Sequence, residues 1–131
     1  MKRFFLVFLI LCPGGLRAQQ QQAGTQSQPF DIVGVRDNFI AAGIAAQKCN
    51  TADRARQDIH DRNFTIISKK AMETIMAREP GTDPEEVRRQ DLAHIEKVQD
   101  ATFNLVHSEG CKSEKVRALL RLHKMHESVR F

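Results

Sequence analysis

The chain of 131 residues contains no Trp and no Tyr. It therefore lacks the usual stacking surface for a carbohydrate and the commonest aromatic anchors of a protein interface. Its 3 cysteines are too few for a disulfide-rich scaffold. None forms a CxxC pair, so thioredoxin-like redox chemistry and haem attachment lack their motif. No apolar run approaches the roughly 20 residues that a spanning helix needs. Alternating strand patterns, Asn-Gly hairpin signals and internal repeats are missing. So are HExxH, GxSxG and a glycine-rich phosphate loop outside the first residues. An enzyme is disfavoured by this shortage of machinery. The 41% apolar and 27% charged fractions are ordinary for one globular domain, which excludes collagen-like, disordered and multi-span membrane classes.

The N-terminus carries the clearest message. Lys2 and Arg3 precede an unbroken apolar run from Phe4 to Leu11, and Pro13-Gly14-Gly15 interrupts it. Ala18 then places a small residue before Gln19. This order reads as a secretory signal peptide over residues 1–18. A lipoprotein reading competes, with Cys12 as the acylated residue. It sits poorly with bulky Leu11 before Cys12 and Pro13 after it. Cleavage after Ala18 takes the formal net charge from +4 to +1, because Lys2, Arg3 and Arg17 leave and no Asp or Glu does. Bulk charge then gives no reason to expect a nucleic-acid partner. Residues 19–29 are Gln-rich and read as a flexible linker.

Residues 30–131 read as a helical bundle domain. The spacing predicts four helices. The first runs from Asp31 to about Lys48, with Ile32, Val35, Phe39, Ala42 and Ala46 on one face. The second runs from about Ala52 to Arg78, capped by Asn50 or Thr51, with Ile59, Phe64, Ile67, Ala71 and Ile75 as its stripe. The third opens at Asp83-Pro84-Glu85-Glu86, a capping box with Pro at the first helical position, and stops near Gly110. Its stripe is Leu92, Ile95, Val98, Thr102, Leu105 and Val106. The fourth follows a Ser113 cap, with Val116, Leu119, Leu120 and Leu122 inward. Short loops between helices imply an all-α, antiparallel four-helix bundle.

That topology places Cys49 and Cys111 in the first and third loops, at the same end of the bundle. They are the two cysteines left after cleavage, and an exported chain meets an oxidising compartment. A Cys49–Cys111 disulfide linking two interhelical loops is therefore expected.

The remaining chemistry is weighed against simpler roles. His123 and His126 share a helix face, and Met125 adds a thioether suited to Cu(I). His94 and Asp91 could contribute from the third helix. These make a His/Met metal site the alternative reading, against which His123 simply continues the apolar stripe as a buried core residue. His60 lies between Asp58 and Asp61 and reads as part of a solvated face. Arg117, Arg121 and Lys124 line one side of the fourth helix and could meet an acidic partner or, less readily, an anionic membrane surface. The expectation is an exported, non-enzymatic helical protein that binds another macromolecule in the cell envelope or extracellular space, with the periplasm as its expected location. A protein partner is expected, with no cofactor. The alternative is a periplasmic metal-binding protein.

Overall fold

A computed structural model describes residues 30–130. The signal peptide, the Gln-rich linker and Cys12 lie outside the described residues. Four helices follow in order: α1 (Ile32–Lys48), α2 (Arg54–Arg78), α3 (Pro84–Glu109) and α4 (Glu114–His126). They pack as an all-α bundle, and α1 is its axis, touching each of the other three. The contacts of α4 with α2 and with α3 are much thinner.

The slim face of α1 accounts for its central place. Ala42, Ala45 and Ala46 are fully buried, so three helices can approach one. Gly43 carries this furthest: a Cβ there would come within 3.0 Å of the His60 ring on α2. Two aliphatic clusters result. Ile32, Phe39, Ile67 and Ala71 join α1 to α2. Ala45, Val106 and Val116 join α1, α3 and α4.

The helix ends follow local chemistry. Asp53 caps α2 by accepting from the Ala55 amide, so the cap lies two or three residues beyond the expected Asn50 or Thr51. Asn50 instead takes a positive φ of 53° in the turn that leaves α1, a conformation Asn tolerates better than most residues. Asp83 caps α3 through the Glu85 amide, with Pro84 at the helix start. Glu86 bonds forward to Gln90 rather than back to the cap, so the capping box is only half formed. Gly110 ends α3 with a φ of 75°. Ser113 caps α4 through the Val116 amide.

Cys49 and Cys111 are disulfide-bonded, with Cα atoms 5.7 Å apart. The bond ties the end of α1 to the start of α4. Two stripe assignments need correction. Leu92 is 59% exposed, and its place toward the core is taken by Val87 and Asp91. His60, expected on a solvated face, is only 4% exposed. In both cases a polar side chain with a specific partner displaces the simple apolar periodicity.

Candidate functional site

The polar groups of the interior gather at two places along α1. The first joins α1 to α3. Arg36 is 1% exposed, and its two terminal nitrogens donate to the two carboxylate oxygens of Asp91 at 2.8 and 2.7 Å. A bidentate guanidinium–carboxylate pair is the geometry in which buried charges best satisfy each other. One position on, Asp37 accepts from or shares a proton with His94 at 2.7 Å, this time near the surface. Asp91 and His94, weighed above as possible joint ligands, are thus each engaged by a different α1 residue. Beside them lies an open cleft of about 190 Å³ lined by Val33, Ile75, Val87 and the two α3 residues.

The second cluster lies where α1, α2 and α4 meet, and it consists of rings. The His126 ring stacks flat on Phe39, with centroids 3.5 Å apart and planes within 2°. His60 sits 4.6 Å from His123 and 5.7 Å from His126 by centroid. His60 and His123 each turn one nitrogen toward a carboxylate. His60 Nδ1 lies 3.4 Å from Asp61, and His123 Nδ1 lies 3.1 Å from Glu127. Their Nε2 atoms, and Nδ1 of His126, are buried without a hydrogen-bond partner. Asn63, itself buried, closes the cluster from α2. Its amide donates to the carbonyls of His126 and Val129 at 2.9 and 2.8 Å. That satisfies two acceptors that the end of α4 would otherwise leave open.

Burial is the main cause of the electrostatics here. It lowers the His126 pKa to about 4, and the neighbouring His60 and His123 push the same way. His123 is lowered too, first by burial and then by His60, while Glu127 and Asp61 pull partly back. Both rings are therefore neutral at pH 7. Each neutral ring has one N–H and one acceptor, and Nδ1 of His123 is the nitrogen that lies near the Glu127 carboxylate.

The sequence-derived metal candidates do not converge. His123 and His126 are neighbours in the ring cluster, but Met125 is 59% exposed and His94 is held by Asp37. Among the described residues, no group of three or more His, Cys, Asp or Glu is placed to hold a metal ion. None of the four is therefore assigned as a ligand. Among the described residues, none of the three His–carboxylate contacts, His60–Asp61, His94–Asp37 and His123–Glu127, is completed by a hydroxyl or thiol bonded to the histidine, so each lacks the nucleophile of a triad.

The basic candidates divide. Arg117 and Arg121 both reach Glu114, at 2.9 and 3.4 Å, and form an exposed i,i+3 and i,i+7 set on α4. Lys124 belongs to a different feature. It borders an open cleft of about 390 Å³ with Arg56, Ile59, Glu127 and Ser128. This cleft continues into a larger one of about 650 Å³, lined by Ile59, Arg62, Ile66, Glu127, Ser128 and Arg130. The only carboxylate in this groove, Glu127, faces inward to His123 and sits 3.7 Å from Arg56.

Arg36, Asp91, His60 and Asn63 were not visible as partners in the sequence. The one available signal was position: Arg36 lies between Ile32 and Phe39 at helical spacing, as a buried residue would. No family model, curated protein or solved structure matches this chain.

Proposed function

We propose that this chain is an exported, non-enzymatic helical protein that binds another protein in the cell envelope or extracellular space. The observation that carries the reading is the groove between α2 and the end of α4. It is lined by the aliphatic Ile59 and Ile66 and by the cationic Arg56, Arg62, Lys124 and Arg130, with Glu127 and Ser128. Arg62 and Lys124 make no ion pair among the described residues. An aliphatic lining beside cations that Glu127 only partly neutralises suits an acidic segment that also presents an apolar side chain, since the charges steer it and the apolar residues bury it. Export is supported by the N-terminal pattern and by the disulfide, which needs an oxidising compartment to persist. Among the described residues no helix is long and apolar enough to cross a membrane.

The test is site-specific photo-crosslinking in cells producing the full chain. A crosslinker at Ile66 should trap a discrete protein, and one at exposed Glu96 on α3 should not. Replacing Arg62 and Lys124 together by Glu should abolish the adduct without altering the melting temperature. Adducts of lipid alone, or a protein adduct indifferent to both charge reversals, would refute the reading.

A further inference from the structure

The two ends of α4 are held by different chemistry. Its first turn is fixed by the Cys49–Cys111 bond and by Val116, which packs on Ala45 and Val106. Neither attachment contains a group that titrates between pH 4 and 7. Its last turn is held by His123, His126 and the residues they touch. We propose that the Phe39–His60–His123–His126 ring cluster is an acid-operated latch, and that protonation of His123 and His126 releases the C-terminal end of α4 from α1 and α2 while the disulfide keeps the other end in place. The inference is independent of the binding groove described above.

A proton on one of these rings places a charge about one ring away from the next. The cluster has little with which to meet it. From α1, Phe39 and Gly43 face the rings, and neither is charged. From α2 come Asp61, which lies against His60, and Arg56, whose contact is with Glu127. From α4 and the residues after it comes Glu127, whose carboxylate lies 3.1 Å from His123. From α3 no charged side chain lies within ion-pair distance of the three rings. Three bases thus share two carboxylates, one of which also serves an arginine. His126 has no carboxylate at all. The Phe39 face offers a protonated His126 only cation–π attraction in place of a carboxylate.

The same geometry argues for a proton rather than a metal. Among the described residues no three His, Cys, Asp or Glu are placed to hold a metal ion, and the His60 ring edge is packed against Gly43. Protons can reach it: His60, Asp61, Phe39 and Gly43 border an open cleft of about 200 Å³. The sign follows from linkage. Rings whose pKa is lowered by folding bind more protons in the released state. The latch is therefore strongest above the ordinary histidine pKa of about 6.5 and weakens as pH falls toward about 4. Asn63 does not titrate, so its two hydrogen bonds to the end of α4 hold until the rings leave. That makes release a cooperative step rather than gradual fraying.

The experiment is amide hydrogen exchange on the oxidised mature chain between pH 7 and 4, corrected for intrinsic rates, with the histidine titrations followed by NMR. Protection of residues 122–127 should fall at least about tenfold from pH 6.5 to pH 4.5, one decade being the effect of one pKa unit. Protection of Ala42–Ala46 in α1 should hold over the same range. The variant carrying H123Q and H126F keeps a polar group facing Glu127 and an aromatic ring on Phe39 but cannot titrate at those positions. It should retain protection down to pH 4.5. An equal loss in this variant would overturn the latch and assign the acid response to carboxylates. Should the double variant fail to fold, H126F alone and the wild-type titration decide. A His126 that titrates in the ordinary histidine range would refute the latch. So would one zinc or copper ion held per chain at pH 7 and lost in H126F, since the cluster would then be a metal site.

Discussion

Arg36 and Asp91 place two full charges in the dry interior, and the pair is a structural commitment as much as a stabilising one. Taking both from water is costly, and their mutual bidentate bond roughly repays it. Removing one partner leaves the other unpaired at the same depth. R36M is therefore expected to cost about 3–5 kcal/mol in urea unfolding, the usual penalty for an orphaned buried charge. R36M combined with D91L should recover most of that loss, because the two side chains can then pack as aliphatics. A double variant no more stable than the single one would show that the site cannot close without the charged pair. Asp37 and His94, one position along α1 and three along α3, form the exposed counterpart, where water screens the interaction and little stability is at stake.

At the level of the helix, α4 is the weakest element. It has 13 residues, against 25 in α2 and 26 in α3, and its main neighbour is α1. A helix this short is marginal by itself, so its last turn depends on what receives its carbonyls. Asn63 supplies that from α2, with both hydrogens of one amide group. N63D is nearly isosteric, but its carboxylate can only accept, and it would face two acceptors. It is expected to lower stability by about 2–3 kcal/mol at pH 7, the cost of unsatisfied buried groups plus a misplaced charge. Hydrogen exchange should localise the loss to residues 122–127 and spare α3. A uniform loss across all four helices would mean that α4 does not open by itself.

For the molecule as a whole, the disulfide is the one bond that spans the loop from α1 through α2 and α3 to α4. The bonded cysteines are 62 positions apart. Closing a loop of that length restricts the unfolded chain by roughly 4 kcal/mol in the chain-entropy model. Reduction should therefore lower the melting temperature by about 15 °C or more, given several degrees per kcal/mol for a domain of this size. Helical circular dichroism at 20 °C should persist, because the Ile32–Phe39–Ile67–Ala71 cluster between α1 and α2 contains no cysteine. An unchanged melting temperature after verified reduction would remove the bond's stabilising role. Reduction should also make the end of α4 less sensitive to the state of the rings, since the anchored end would then be free to move with it.

The local signals in the chain were enough to determine the helices and the disulfide. Gly110, Pro84, Asp83 and Ser113 act within a few residues of themselves, so their effect could be read along the line. The pairing of Cys49 with Cys111 followed from counting helices, because an up-down order puts alternate loops at one end. The core was only partly legible. Ile32, Phe39, Ile67, Ala71, Val106 and Val116 obey the apolar period, but Leu92 obeys it and remains in water. Arg36, His60, Asn63 and Asp91 break the period and are buried. What surrounds these buried polar side chains comes from distant parts of the chain: Asp91 for Arg36, the α4 rings for His60, the carbonyls of His126 and Val129 for Asn63. Helix rotation and crossing decide whether such groups meet, and a single chain read in order carries no measure of either. The ring cluster and the basic groove, on which the functional readings rest, were decided by tertiary structure for that reason.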